Sequence, residues 1–351
     1  MGDNREMPNP LRVGVVGCGA FGRNHARVYR DLAGDASQAI EFAGVADTDF
    51  ERAQAVAREF GTRAFRTVDE LLAAGINAAS VAVPTVVHLE VARRLIESGV
   101  DVLIEKPLAT TLAEADDLIA LAQQHKRIAQ TGHLERFNPA VRATLPLLTQ
   151  PMFFEVHRLS VFTPRSLDID VVLDLMIHDI DVVLSFVNSP VKEIRAVGLP
   201  ILSKKVDIAN VRMEFQSGCV ANFTASRVST ERIRKLRFFQ PNQYVSLDYS
   251  RQDVLVLSVE ETPADALGLD PFNPASVAAS AFPSISPHKP TIEQQEPLRA
   301  ELRSFLRAVR DRSTPEVTLE DGGRALAVAM EILQGIADHA RRARLSELTR
   351  V

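Results

Sequence analysis

A carboxylate, an imidazole and an amine in this sequence have the types and spacing needed for acid–base chemistry. Asp174 and His178 are four residues apart in a stretch of helical pattern, so an α-helix would place them on one face. Lys106 follows a short apolar run of strand character. Oxidation of an alcohol needs such groups, because the hydroxyl must lose a proton as its carbon loses hydride. We therefore take these three residues as the candidate catalytic residues.

Each of the three has an expected role. We expect His178 to accept the proton and Asp174 to orient its ring, while Lys106 holds the substrate oxygen by a charged hydrogen bond. The sequence leaves open whether Lys106 or His178 moves the proton. One alternative is a structural Asp–His pair in an amphipathic helix. Another is a metal site completed by Asp179 or Asp181, which we disfavour because a third ligand on the same face is missing; no metal is expected.

A glycine-rich loop near the start of the chain indicates the kind of ligand that would bind near these groups. Residues 11–16 form an apolar, β-branched run typical of a strand buried in a parallel sheet, and Gly17, Gly19 and Gly22 follow in the spacing GxGxxG. The first glycine allows a sharp turn, the second allows a pyrophosphate to approach, and the third allows a helix to pack closely. The loop predicts a dinucleotide site, with a tight structural turn as the alternative.

The residues after the loop specify the cofactor. Ala20 and Phe21 begin a helix whose free N–H groups favour phosphates. A strand over Ile40–Ala46 ends at Asp47, and a carboxylate there accepts a hydrogen bond from a ribose 2′-OH and repels a 2′-phosphate. NAD is therefore favoured over NADP. Asp47 lies beyond the usual spacing of ~20 residues, and we attribute the excess to a long loop over Asp31–Gln38.

Two later strands end in further polar residues. Strands over Ala78–Val83 and Asp101–Ile104 are followed by proline-containing turns. Ligands bind outside the carboxyl ends of the strands in an open α/β sheet, so these turns and the glycine loop should converge on one crevice. The candidate cofactor ligands in the turns are Pro84, Thr85, His88, Glu105 and Lys106. A helix-cap role is the alternative for His88.

The order of elements predicts two domains. Strands and helices alternate over residues 1–130, which indicates an α/β domain with a doubly wound (Rossmann) parallel sheet. Residues 131–351 are expected to form an α+β domain with a largely antiparallel open sheet, for substrate binding and oligomerisation, that ends in helices over Glu296–Arg312 and Leu319–Arg342. A helix is expected over Asp170–Val187, and an irregular surface excursion over Glu261–Pro290. The expected strands are Phe153–Val161, Val191–Leu199, Val206–Phe215, Val220–Val228, Ile233–Phe239, Tyr244–Tyr249 and Val254–Val259.

Several motifs together resemble the Gfo/Idh/MocA family of NAD(P)-dependent oxidoreductases. They are GxGxxG, VPTxxH, GxDVLIEKPLATTLAEA, DLMIHDID and EPLRAELRSFLRAV. The resemblance implies catalytic roles for Lys106, Asp174 and His178, and a place for Glu105 near the nicotinamide ribose and for His88 in the cofactor cleft. It also implies a cis Lys106-Pro107 bond, and a homodimer or homotetramer formed through the antiparallel sheet.

Three other stretches resemble the subgroup of that family that oxidises UDP-N-acetylglucosamine at C3. They are GHLERFNPAV, FTPRSLDIDVVLDLMIHDID and RVSTERIRKLRFFQ. A guanidinium binds phosphate oxygens in pairs, so arginines in these stretches are candidates for the diphosphate. The candidate substrate ligands are His133, Arg136, Arg165 and Arg227. The alternatives are a family enzyme acting on inositol or a simple sugar, or a non-catalytic NAD-bound regulator.

Composition excludes several other classes of protein. The chain has 351 residues, of which 46% are hydrophobic and 24% charged, and its net charge of −5 does not suggest a nucleic-acid surface. Cys18 and Cys219 are too few for a disulfide framework. No signal peptide and no apolar run long enough for a membrane helix is evident. We expect a cytoplasmic enzyme with a small-molecule substrate and no nucleic-acid or membrane partner.

Overall fold

The structure is a computed structural model that describes residues 10–163, 169–260 and 284–344. The chain divides into two compact units, one of residues 1–137 and 295–328 and the other of residues 138–294 and 329–351. The expected division at residue 130 differs from this, because residues 295–328 join the first unit. Backbone bonding shows why: the amide of Thr131 donates to the carbonyl of Val317 at 3.2 Å.

The first unit contains a six-stranded sheet in which every pairing is parallel. Its strand order is β3-β2-β1-β4-β5-β6, so the order reverses at β1, where β2 pairs on one side and β4 on the other. Such a reversal is the place where an α/β sheet opens a crevice at its carboxyl end. The strands are β1 (Leu11–Val16), β2 (Ile40–Ala46), β3 (Ala64–Phe65), β4 (Ala78–Val81), β5 (Asp101–Glu105) and β6 (Ala129–Gly132).

Helices flank this sheet and bury one apolar face each. They are α1 (Ala20–Ala33), α2 (Phe50–Phe60), α3 (Val68–Ala73), α4 (His88–Glu97), α5 (Leu112–Gln124) and, from the later part of the chain, α8 (Pro297–Asp311). Phe305 of α8 packs in one core with Val13 of β1 and Tyr29 of α1. The loop expected over Asp31–Gln38 is shorter than predicted, because α1 continues to its end at Ala33 and a 3₁₀ turn follows at Ala36–Gln38.

The second unit contains an eight-stranded sheet that is antiparallel except at one pairing. The strand order is β14-β13-β12-β11-β7-β10-β9-β8, and β7 pairs with β10 in parallel. The strands are β7 (Phe153–Leu159), β8 (Val191–Leu199), β9 (Ile208–Phe215), β10 (Val220–Ser226), β11 (Ile233–Gln240), β12 (Gln243–Asp248), β13 (Asp253–Glu260) and β14 (Ser284–His288). The expectation of an irregular excursion over Glu261–Pro290 is therefore wrong for β14, and residues 261–283 lie outside the described residues.

The remaining helices are α6 (Pro139–Thr144), α7 (Ile177–Phe186) and α9 (Leu319–Arg342). The helix expected over Asp170–Val187 is divided, because Val172–Met176 is a π-helix that leads into α7. In the part of the chain that the structure describes, no helix combines the length and the apolar composition that crossing a bilayer requires.

Candidate functional site

The glycine loop joins β1 to α1 in the geometry that a dinucleotide requires. Gly17 has a positive φ of +94°, and a Cβ added there would lie 2.5 Å from the carbonyl oxygen of Ala82. A Cβ on Gly22 would lie 1.7 Å from the carbonyl oxygen of Gly17. A Cβ on Gly19, in contrast, would meet no described atom within 4 Å. The loop is thus closed against the sheet at two glycines and open at the one expected to face a pyrophosphate.

Asp47 lies at the end of β2 and bonds to the backbone of this loop. Its carboxylate accepts a hydrogen bond from the amide of Cys18 at 2.7 Å and another from the amide of Asp49 at 2.8 Å. Arg52 lies 3.7 Å from the Asp47 carboxylate and pairs more closely with Asp49, at 2.9 Å. Asp47 is therefore placed at the loop as expected, with a guanidinium nearby. Burial and the Asp47 charge raise the pKa of the Cys18 thiol to about 12, so this cysteine is no nucleophile.

His88 joins two of the turns that the sequence predicted to meet. It is the first residue of α4 and almost fully buried, with Nε2 3.0 Å from the carbonyl oxygen of Val83 and Nδ1 3.2 Å from that of Leu108. Burial lowers the pKa of this imidazole, which favours the neutral form with a single N–H donor. Its contacts are thus with the backbone of both turns, and the helix-cap alternative describes it poorly. Pro84 and Thr85, beside it, begin a 3₁₀ turn at the end of β4.

Glu105 ends β5, the next strand of the sheet, and Lys106 follows it. The Lys106-Pro107 peptide bond is cis, as the family resemblance implied, and Lys106 is half-buried. Glu105 is buried, and its carboxylate bonds to Nε2 of His25 at 2.8 Å. His25 is not among the residues predicted from sequence, although a polar residue on the apolar stripe of α1 was a signal that could have revealed it.

Ala20 and Phe21, the first residues of α1, are exposed beside the open glycine. An uncovered helix N-terminus, a loop with room at Gly19 and a carboxylate at the end of β2 are the three features that a Rossmann site offers to NAD. The first unit therefore fits this cofactor.

The second unit holds the other two candidate catalytic residues. Asp174 is half-buried within the π-helix, and His178 is buried, with 8% exposure, in the first turn of α7. The segment around Asp174 is a π-helix instead of the expected α-helix. A π-helical turn is only slightly wider than an α-helical one, so a spacing of four residues still favours one face. Single π-helical turns within α-helices are frequent at functional sites. Among the described residues, no three His, Cys, Asp or Glu side chains are close enough to hold a metal ion.

A buried ion pair fixes the helix that carries His178. Asp179, the next residue, accepts two hydrogen bonds from Arg158 of β7, from Nε at 2.6 Å and from Nη2 at 2.9 Å. Both side chains are almost completely buried, and the guanidinium also lies over the ring of Tyr249 at 5.0 Å. The pair is bidentate and so restricts rotation of α7 against the sheet.

The candidate substrate ligands have varied surroundings. His133 is buried after β6, and half-buried Arg136 lies in a 3₁₀ turn over Leu134–Phe137, both in the first unit. Arg165 lies outside the described residues. Arg227 is buried, with Nε 3.6 Å from the Asp207 carboxylate and Nη2 bonded to the carbonyl of Ile169. The structure thus gives Arg227 a structural partner, and we propose no diphosphate role for it.

Comparison with known proteins agrees with this geometry. A profile described as an oxidoreductase family with an NAD-binding Rossmann fold matches residues 11–133, and one for the GFO/IDH/MocA C-terminal domain matches residues 152–239. UDP-N-acetylglucosamine 3-dehydrogenase of Acidithiobacillus ferrooxidans is 34% identical over 92% of this chain and 96% of its own length. The chain belongs to the Gfo/Idh/MocA oxidoreductase family. It is an NAD-dependent enzyme of the class that acts on the hydroxyl groups of sugars or nucleotide sugars.

Solved structures extend the comparison. That of the Acidithiobacillus ferrooxidans enzyme matches with a TM-score of 0.82 over 93% of this chain and 97% of that chain. Levoglucosan dehydrogenase in complex with NADH matches with a TM-score of 0.79 over 94% of this chain and 97% of that one, but at 16% identity it shows the fold alone. Inositol 2-dehydrogenase 1 of Saccharopolyspora erythraea is 32% identical over only 52% of this chain and 56% of its own length.

Proposed function

We propose that this enzyme oxidises the 3-hydroxyl of UDP-N-acetylglucosamine to a ketone. One observation carries the proposal: the 34% identity to a UDP-N-acetylglucosamine 3-dehydrogenase runs through both units and over nearly the full length of both chains. Similarity confined to the cofactor unit would leave the substrate open. The matched inositol dehydrogenase spans only about half of the chain, which favours the nucleotide sugar.

The bound NAD supplies the hydride acceptor, and the chain supplies acid–base and positioning groups. We propose that His178 removes the hydroxyl proton as the C–H bond at C3 breaks. Asp174 stabilises the protonated imidazole. Lys106 donates a charged hydrogen bond to the substrate oxygen, and this favours the alkoxide character that develops as hydride leaves. One alcohol and one NAD⁺ give one ketone, one NADH and one proton.

We further propose that Arg136 and His133 contribute to substrate binding. Arg136 is half-buried, and Nη2 lies 3.5 Å from the carbonyl oxygen of Glu316. A guanidinium binds phosphate oxygens in pairs, and this is the contact proposed for Arg136. Arg165 is proposed on the family resemblance alone.

A substrate panel tests the proposal. NADH formation is measured with UDP-N-acetylglucosamine, N-acetylglucosamine 1-phosphate, free N-acetylglucosamine and myo-inositol. We expect activity with the first and a steep loss as the uridine and the second phosphate are removed. Substrate deuterated at C3 should show a primary isotope effect and transfer its deuterium, as deuteride, to the reduced cofactor, whereas deuterium at C4 should do neither.

Other results would select a different function. Activity confined to inositol or free sugars would overturn the nucleotide-sugar proposal and leave the family assignment intact. Tight NADH binding without turnover of any panel member would favour a non-catalytic NAD-bound regulator.

We also propose a cytoplasmic homo-oligomer. Apolar side chains are exposed at the end of β8 and just after it, with Leu199 at 37%, Ile201 at 55% and Leu202 at 54% exposure. Burial of such side chains between copies of the chain removes apolar area from water. Light scattering at micromolar concentration should give the mass of a dimer or tetramer, and a monomer mass would contradict this.

A further inference from the structure

A chain of four hydrogen-bonded side chains crosses the interior of the first unit. Glu105 Oε1 lies 2.8 Å from His25 Nε2, His25 Nδ1 lies 2.9 Å from Ser80 Oγ, and Ser80 Oγ lies 2.9 Å from Tyr29 Oη. His25, Tyr29 and Ser80 are fully buried, and Glu105 nearly so. The four residues come from α1, β4 and β5, the elements around the point where the strand order reverses. Nothing in the proposed reaction uses this chain directly.

Assigning donors and acceptors fixes which group donates in each hydrogen bond between these four side chains. A carboxylate only accepts, so Nε2 of His25 carries the hydrogen that faces Glu105. In a neutral imidazole Nδ1 then accepts, and the Ser80 hydroxyl donates to it. The oxygen of Ser80 in turn accepts from the Tyr29 hydroxyl. With this tautomer every hydrogen in the chain has an acceptor, which is what full burial demands.

The end of the chain at Glu105 is the end that matters for the cofactor. Gly132 of β6 pairs with Glu105 in the parallel ladder, and a Cβ on Gly132 would lie 3.0 Å from Glu105 Oε1. The carboxylate is thus confined by backbone on one side and held by an imidazole on the other. Lys106 is the next residue in sequence, so the contacts that hold Glu105 also restrain the backbone beside Lys106.

We infer that His25 is a positioning residue that orients the Glu105 carboxylate for hydrogen bonding to the ribose next to the nicotinamide. The inference rests on the proposed role of Glu105 at that ribose, and it is independent of which sugar is oxidised. A purely structural His25 would stabilise the fold without affecting the cofactor. A positioning His25 requires a donor at the location of Nε2, whereas the Nδ1 position serves only Ser80 and Tyr29.

Two amide substitutions separate these requirements. The amide nitrogen of glutamine can occupy the position of the donor Nε2, and the amide oxygen of asparagine can occupy the position of the acceptor Nδ1. His25→Gln therefore keeps the donor to Glu105, and His25→Asn keeps only the contact with Ser80. Binding of NADH is measured through the fluorescence of the dinucleotide without any sugar present, since the chain has no Trp. The KM values for NAD and sugar and the unfolding temperature are measured in parallel.

We expect His25→Asn to raise the Kd for NADH and the KM for NAD by roughly tenfold, the effect of losing a hydrogen bond to a charged group. The KM for the sugar should change little. His25→Gln should restore NADH binding to near the wild-type value. Tyr29→Phe, which removes the far end of the chain, should lower the unfolding temperature without weakening NADH binding. Gly132→Ala should weaken NADH binding although His25 is intact, because the added Cβ displaces the carboxylate.

Two other results would overturn the inference in distinguishable ways. If Glu105→Gln weakens NADH binding while His25→Asn does not, His25 has only a structural role. If Glu105→Gln leaves NADH binding unchanged, the cofactor role of Glu105 fails, and the positioning role fails with it. Neither result depends on the substrate panel, so the two proposals are tested separately.

Discussion

The two units hold their polar site residues by different means. In the first unit, backbone groups bind the side chains of Asp47 and His88. Asp47 accepts hydrogen bonds from the amides of Cys18 and Asp49, and His88 faces two carbonyls. In the second unit, buried ion pairs between distant parts of the chain take this role, as between Arg158 and Asp179.

This difference determines what each unit tolerates. A site held by backbone groups needs residues that can adopt the required backbone conformation. Substitution of a glycine therefore has the largest effect in the first unit. A buried ion pair depends on both charges, and the loss of one leaves the other desolvated. Substitutions at Gly19 and Asp47 should therefore change cofactor binding, and substitutions at His178 and Asp179 should change turnover or stability.

The largest expected effect tests this division at His178. His178→Ala should lower turnover by ~10²–10⁴-fold, the usual contribution of a positioned base. NADH affinity should remain close to the wild-type value, because the glycine loop and Asp47 belong to the first unit. In the wild type, the rate of oxidation should rise with pH as His178 loses its proton and then level off. Steady-state kinetics and NADH titration measure the two quantities.

Lys106→Met is the matched comparison for this prediction. If Lys106 only positions the substrate oxygen, Lys106→Met should impair both turnover and substrate binding but keep the pH dependence of the wild type. The opposite pattern would reverse the roles. If the residual activity of His178→Ala keeps the wild-type pH dependence, and Lys106→Met loses that pH dependence, then Lys106 is the base.

The second prediction concerns the buried pair beside His178. Asp179→Ala leaves the Arg158 guanidinium buried without its carboxylate, which should cost ~3–5 kcal/mol of unfolding free energy. Lys192→Ala is the control, because it breaks a pair with Glu214 in which the lysine is 58% exposed, and it should cost far less. Urea denaturation measures both. If both variants lost the same unfolding free energy, burial of the ion pair would not determine its contribution to stability.

The third prediction contrasts two glycines of one loop. Gly22→Ala should prevent stable folding of the first unit or strongly lower its unfolding temperature, because the added methyl group would lie 1.7 Å from a carbonyl oxygen. Gly19→Ala has no such clash with the described residues, so its unfolding temperature should match the wild type while NADH binding weakens severalfold. A Gly19→Ala variant with unchanged NADH affinity would show that the pyrophosphate lies elsewhere.

These contrasts also explain which features could be predicted from sequence. The ends of β2, β8 and α9 agree with the sequence prediction, because each boundary is marked locally by a turn residue, a cap or a change of period. The GxGxxG loop was predictable for the same reason, since the backbone at Gly17 and Gly22 leaves no room for a side chain. The start of α5 has a local signal of the same kind, because the side chain of Thr111 accepts a hydrogen bond from the amide of Glu114.

Features that depend on distant partners were not predictable. Asp207 lies 3.6 Å from Arg227, and His25 bonds to Glu105, yet no pattern near any of these residues indicates its partner. The π-helix at Val172–Met176 was likewise not predicted, because the sequence pattern of this stretch indicates one continuous helix. Charged residues in such stretches have several possible roles, and only the fold selects one.

The fourth prediction concerns cofactor preference. Asp47→Asn keeps an acceptor for the loop amide but removes the charge that repels a 2′-phosphate, and Arg52 lies 3.7 Å away to attract one. The preference for NAD over NADP should fall by roughly tenfold, about 1.4 kcal/mol. Asp49→Asn is the control, with the same loss of charge away from the loop, and should leave most of the preference intact. Adding Arg52→Ala to Asp47→Asn should remove the gain in NADP affinity.

The smallest effect concerns the pH dependence of stability at His88. Burial lowers the pKa of this imidazole below its ordinary value of 6.5 in the folded chain. As pH falls through 6.5, the unfolded chain takes up a proton at this residue more readily than the folded chain does, so stability is lost on acidification. His88→Gln cannot titrate, but its amide can still donate to the carbonyl of Val83. The unfolding free energy of the wild type minus that of His88→Gln should therefore be smaller at about pH 5.5 than at about pH 8. Other titrating groups affect both proteins alike and cancel in this difference, so a difference that is constant with pH would show that His88 is as easily protonated in the fold as in the unfolded chain.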